Sequence, residues 1–245
     1  AGTTTTANLY DLVLRGSAAY GMYARAVQVE IENFNRVVVT GNALGAAYLD
    51  APLVDRLTNG TFTGNGIERI HVEVGSERPI TDNATWRNHG VPYVTERRAS
   101  RDLLVENGTL TIEPGVEIRF GENYGLHVRF GQLIARGTAT SPITLRSDGA
   151  ANWRGINLHD SEAVFEHIAI RDGGSQNWNS VTPGANITIA TANGNPPRSA
   201  AAFGSGVVSS GATWTLAFTY GDTFATPCLA PVFIPPGDTA ADHCP

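Results

Sequence analysis

The chain has 245 residues, of which 42% are hydrophobic and 16% charged, enough for a substantial core in one elongated domain. A formal net charge of −6 and a pI near 5.5 speak against nucleic acid as a partner, which wants a basic face. No apolar run approaches the length of a membrane span and no charged-then-apolar leader opens the chain, so a mature or excised soluble piece is expected.

In chain order, residues 1–7 are Thr-rich with no core signal, and YDLVLR (residues 10–15) predicts a first strand. Short strands are expected at residues 21–23, 27–31, 37–39 and 46–49, punctuated by Asn33, Asn35 and Asn42. LTNGTFTGNG (residues 57–66) and IERIHVEV (residues 67–74) repeat one grammar, a polar Asn-Gly turn and then apolar alternation. Residues 76–100 are less regular. With Trp86 at their centre they predict a loop excursion folded over one face and anchored by that indole.

Residues 109–158 carry the clearest pattern. Leu110 and Ile112 alternate with Thr109, Thr111 and Glu113; Val116, Ile118 and Phe120 with Glu117 and Arg119; Leu126, Val128 and Phe130 with His127 and Arg129. Gly and Pro break the run at short intervals, and no gap leaves room for a crossover helix. Such strands fit either an antiparallel sandwich or barrel, or a parallel β-helix of stacked rungs. Two-residue hairpin signals are scarce, Asn107-Gly108 and Asp148-Gly149 being the best, so hairpin topology has weak local support.

AVFEHIAIRDGG (residues 163–174) adds another rung, residues 187–190 and 207–208 are candidate strands, and TWTLAFTY (residues 213–220) is a convincing one. From residue 226 onward Pro, Gly and Cys dominate; Pro removes ladder donors, so regular sheet is not expected there. The organisation is thus a domain over residues 1–225 and a tail or cap over residues 226–245. Cys228 and Cys244 in that tail predict a disulfide closing a terminal loop, worth about 3 kcal/mol, and with it an oxidising, exported setting.

LTIEPGVEIRFG, then GLHVRFGQLIARGTATSPITLRS, then NWRGINL resemble a recurrent pattern of secreted bacterial right-handed parallel β-helix repeat proteins with the pectate-lyase-like fold. TGN and FTGNGI earlier in the chain are similar to phrases that recur from rung to rung in that group. The resemblance implies an all-β chain, a right-handed parallel β-helix (solenoid) with an irregular Pro-rich C-terminal tail, at an extracellular or cell-surface location. It implies a scaffold rather than an activity.

On such a scaffold alternate side chains point outward and stack into rows. Glu117, Arg119, His127, Arg129, Arg146, Asn157 and His159 are outward by alternation, with Arg119 and Arg129 on neighbouring rungs and Glu117 and His127 beside them. That group would suit an anionic polysaccharide or an acid–base pair, although Glu and Arg paired across strands are equally an ordinary solvated face. A lyase of the resembled kind needs clustered carboxylates for Ca²⁺ and a strong base; Asp148, Asp160, Glu162 and Asp172 are scattered, and all 17 basic residues are arginine. The six histidines show no metal-binding spacing, His159 and His167 being the closest pair, and GxSxG is absent. Four sequons begin at Asn59, Asn83, Asn107 and Asn186, as chance allows in turns this rich in Asn and Thr. Trp178, in SQNWNS, has the least structural reason to be aromatic and is the preferred binding residue, with Arg119, Arg129 and His127 behind it. No catalytic residue, metal or cofactor is assigned. The expectation is a non-catalytic structural or adhesive module, with copies of itself or other cell-surface components as partners. A glycan-binding module is the alternative, and a polysaccharide lyase or hydrolase the third.

Overall fold

The structure is a computed structural model that describes residues 5–25, 29–75, 78–97, 102–176, 178, 184–191, 200–212, 214–220 and 223–228. Alternating apolar residues build short strands that recur in threes. Asp102–Glu106, Thr109–Ile112 and Glu117–Phe120 are followed by Gly125–Arg129, Gln132–Arg136 and Ile143–Ser147, then by Gly155–His159, Glu162–Glu166 and Ile168–Arg171. Each strand pairs in parallel with the strand three places further on. This parallel stacking, with almost no helix, is consistent with a β-solenoid and rules out the antiparallel sandwich.

Four sheets result, here numbered I to IV. Sheet I runs from Asp102–Glu106 to Trp214–Tyr220, sheet II from Ala84–Trp86 to Ala200–Phe203, and sheet III from Tyr20–Ala24 to Val208–Ser210. Sheet IV holds the earliest strands, Thr5–Tyr10, Val13–Leu14, Val29–Val39 and Asn59–Thr61. In register, one parity of each sheet is apolar and buried: Ile70, Tyr93, Ile118, Leu145 and Ile170 in sheet III, and Leu126, Ile156 and Ile187 in sheet I. Aromatic rings stack between rungs inside this core, Phe120 on Trp153 at 4.2 Å and Phe165 on Phe203 at 5.3 Å.

Two devices turn the chain. At one corner a residue with positive φ turns the backbone: Asp11, Arg36, Asn107, Phe130 and Asp160 all take the left-handed conformation. The backbone N–H of Asn107 donates to the Arg129 carbonyl and that of Phe130 to His159, so the corner is itself hydrogen-bonded from rung to rung. At another corner the repeated TGN places Asn42 over Asn65. The Asn42 amide donates to Asn65 Oδ1 at 3.0 Å, while Asn65 donates to the Val39 and Phe62 carbonyls at 2.9 Å. Both side chains are buried and closed by backbone partners, as a buried amide requires.

Several expectations change. The described part of the expected 76–100 excursion, residues 78–97, is not a loop: Ala84–Trp86 joins sheet II, and Tyr93–Arg97 pairs on both sides in sheet III. A three-residue strand is too short to display alternation, and Pro92 hides the start of the next. Trp86 is nonetheless fully buried, its ring 5.0 Å from Tyr93. The Thr-rich start contributes Thr5–Tyr10, and the two strands expected at residues 27–31 and 37–39 are one, Val29–Val39, bent at Arg36 with φ 53°. The tail begins as a strand, Thr223–Cys228, antiparallel to Trp214–Tyr220, because its backbone caps a sheet edge instead of extending the stack. Cys244 and the side chain of Cys228 lie outside the described residues, and with them the expected disulfide. The sequon at Asn186 is ruled out as an acceptor: the side chain is fully buried, its oxygen accepting from Gly173 N and its amide donating to the Ser210 carbonyl.

Candidate functional site

The four residues singled out in the sequence fall on two sheets. His127 and Arg129 are outward on Gly125–Arg129 of sheet I, and Trp178 folds onto His127. Its ring lies 5.3 Å from the His127 ring and directly over Gly125, where an added Cβ would meet the indole at 2.3 Å. Glycine is required there because the indole occupies the space a side chain would take. The Arg154 guanidinium stacks on the other part of Trp178 at 4.0 Å and is paired with Asp102 at 3.0 Å; Arg129 is paired with Glu106. Trp178 thus has a packing role as a roof.

Beneath it His127 stacks on His159 at 6.1 Å, and burial, with charge repulsion from His159, Arg129 and Arg154, lowers its pKa to about 4. His127 is neutral at neutral pH. Asn157, beside it in register and 3% exposed, has an Oδ1 with no hydrogen-bond partner among the described residues, as do His127 Nε2 and Trp178 Nε1.

Arg119 is elsewhere. It stands on sheet III, in register with Arg146, and is not a neighbour of Arg129. Strands consecutive in sequence turn a corner before they stack, so neighbouring alternation does not mean a shared face. Both arginines grip Glu117, at 2.9 Å from Arg119 and 2.7 Å from Arg146. Burial alone would raise the Glu117 carboxyl, but the hydrogen bonds and charges of the two arginines hold it below the usual carboxylate value. An ionised Glu117 on one sheet and a neutral His127 on another do not form an acid–base pair. His159 and His167 likewise separate, His159 onto His127 and His167 onto Ser205 at 3.2 Å.

The row through Arg119 contains residues that the sequence did not single out. Tyr23, Tyr48, His71, Val94, Arg119 and Arg146 are in register across six strands of sheet III. Five spacings of about 4.8 Å make this roughly 24 Å long. At one end Tyr23, 60% exposed, stacks on Tyr48 at 5.3 Å, and Tyr20 closes the group edge-on at 5.4 Å while its hydroxyl meets His71 Nδ1 at 3.1 Å. Two residues along lie Asp50 and Glu73, in register and buried, with Arg78 on Asp50 and Arg25 on Glu73 at 3.5 Å. Burial pushes the Glu73 carboxyl up against the opposing charge of Arg25, with Asp50 adding to the rise. At the other end Asp148 reaches Arg119 and Arg69 at 3.9 and 3.8 Å. Among the described residues three arginines (Arg69, Arg119, Arg146) face two carboxylates (Glu117, Asp148) here, an excess of one positive charge. The signal was available, since tyrosines at 20, 23 and 48 precede or interrupt predicted strands, but only the register shows that they meet.

Among the described residues no three His, Cys, Asp or Glu side chains are placed to hold a metal ion, and no helix is long and apolar enough to cross a membrane. Comparison of the chain with family models, curated proteins and solved structures finds no match.

Proposed function

We propose that the chain is a right-handed parallel β-solenoid module of an exported, surface-located protein, and that it binds glycans without cleaving them. The right hand follows from the strong preference for right-handed crossovers between parallel strands, and the resemblance to secreted bacterial β-helix proteins supports export. The observation that carries the binding reading is the row on sheet III, aromatic at one end and arginine-rich at the other. A ring such as Tyr23 offers an apolar face to a pyranose. The arginine end favours an acidic substituent.

A polysaccharide panel scored for retention and for cleavage tests this. Wild type is expected to be retained on at least one glycan without releasing products, and Tyr23→Ala to lose that retention at least tenfold. Unchanged retention in Tyr23→Ala sinks the sheet III site, and released oligosaccharide makes the module an enzyme. Assembly of copies, the other expectation, is favoured by the exposure of Tyr10 (51%) and Val13 (55%) on the first described strands. A constant monomeric mass by light scattering across a concentration series rejects it.

A further inference from the structure

The stacking of strands is interrupted once the chain leaves sheet IV. A 3₁₀ helix, Ala51–Arg56, stands between Gly45–Asp50 and Asn59–Thr61 where later rungs have a strand. Asn59–Thr61 pairs back onto Val29–Val39, whereas Ala84–Trp86 pairs forward onto Thr109–Ile112, and the two do not pair with each other. Asp55, at the end of the helix, substitutes for the missing neighbour. Its carboxylate accepts from Thr85 N at 2.7 Å and from Arg87 at 3.3 Å.

An open groove of about 910 Å³ lies over this break, within the span of roughly 300–1,000 Å³ common for small-ligand sites. Gly60 fixes which side chains face it. Its missing Cβ would meet the stacked Phe34 and Phe62 rings at 2.8 and 2.6 Å, so Gly60 turns inward and Asn59 and Thr61, both exposed, turn to the groove.

The charges in the lining are already answered. Arg36 is held bidentately by Asp11 and Arg87 by Asp55, which leaves Glu113 as a net negative group. His89 is uncharged at neutral pH: burial, opposed by a hydrogen bond to the Leu57 backbone, brings its pKa to about 4. Its Nε2 is buried and has no hydrogen-bond partner among the described residues, so it is not a group the groove offers to a ligand. A carboxylate, amide Asn59 and hydroxyl Thr61 together suit a ligand that carries many hydroxyls and no negative charge.

We propose that this groove is a second ligand site, for a neutral saccharide chain, separate from the tyrosine row on sheet III. The inference rests on the reading of the chain as a glycan binder and adds that it is bivalent, with a neutral-sugar site at the sheet break and a site tolerant of acidic sugars on sheet III. Two sites on one rigid body raise avidity for a polysaccharide that can reach both.

Isothermal titration of the full chain tests it, with cellohexaose and maltohexaose as neutral probes and an oligogalacturonate as the anionic one. The variants are Asn59→Ala with Thr61→Ala, which removes two exposed side chains outside the core, Thr61→Trp, which fills the groove, and Tyr23→Ala. A neutral probe is expected to bind wild type. The paired alanine variant and Thr61→Trp are each expected to weaken groove binding of that probe at least tenfold and to leave oligogalacturonate binding unchanged. The groove is overturned if no neutral probe binds wild type, or if the paired alanine variant and Thr61→Trp bind it as wild type does. Loss in Tyr23→Ala with none in the groove variants refutes the groove alone; the reverse refutes the tyrosine row alone.

Discussion

Replacing His127 with Gln should flatten the acid limb of the stability curve. In the folded chain the imidazole lies under Trp178, with Arg129, Arg154 and His159 beside it and the Asp102 and Glu106 carboxylates of the adjacent strand engaged by Arg154 and Arg129. Burial first, then those positive neighbours, lowers its pKa from 6.5 to about 4. Between these values the unfolded chain binds a proton that the folded chain refuses, so stability is full above pH 6.5 and is lost as pH falls toward 4. At about 1.36 kcal/mol for each pH unit the whole fall costs about 3.4 kcal/mol, of which about 2 kcal/mol is gone by pH 5. His89, brought to about 4 by its own burial, acts with the same sign. Glu117, held below its ordinary value, adds to the loss only as pH falls past the ordinary carboxylate value, below the pH 7 to pH 5 comparison. Urea melts at pH 7 and pH 5 should therefore differ by about 2 kcal/mol less in His127→Gln than in wild type. If the two proteins lose the same stability between those pH values, His127 is not buried neutral and the roof formed by Trp178 is wrong.

Gly125→Ala puts a methyl where the Trp178 ring lies at 2.3 Å, so the indole should be expelled, with red-shifted emission and faster acrylamide quenching; an unaltered spectrum contradicts the packing. Trp153→Phe keeps the stack on Phe120 but abandons the indole donation to the Arg171 carbonyl, at a cost of about 1–3 kcal/mol. Trp153→Ala should cost about 3–5 kcal/mol, and equal urea midpoints for the two variants would mean the stack on Phe120 contributes nothing. Glu117→Gln leaves Arg119 and Arg146 facing each other without their shared anion, a loss of about 1 kcal/mol. The same change should raise retention on anionic polysaccharide at low salt, and unchanged retention would remove the arginine end from the binding row.

The core positions of residues 109–158 were legible because each strand there is four or five residues long and one parity is uniformly apolar; Leu110, Ile118, Leu126, Leu133 and Leu145 are all buried. The recurrent TGN was legible as a turn, though not as a stacked pair of buried amides. The strand Ala84–Trp86 was not legible, since three residues cannot establish a period of two. Site residues suffered from a different gap. Alternation tells which side chains point outward but not which strands share a sheet, and in this chain consecutive strands belong to different sheets. That is why Arg119 and Arg129 were expected together and lie apart, and why Tyr23 and Tyr48 were overlooked and lie in contact.

Where the stack is regular, its outward rows satisfy themselves. Glu117 answers Arg119 and Arg146, Glu106 answers Arg129, and little is left over for a ligand. The groups left over occur where regularity fails. The helix Ala51–Arg56 interrupts pairing and leaves Asn59 and Thr61 exposed at a groove, and the first rungs of sheet III leave Tyr23 largely exposed beside Tyr48. A parallel stack engages many of its outward polar groups with neighbouring rungs, because like positions recur about 4.8 Å apart and opposite charges can pair across them. Recognition on such a scaffold therefore depends on departures from the repeat, and in this chain the groove at the 3₁₀ helix and the tyrosines at the first rungs are where those departures leave groups for a ligand.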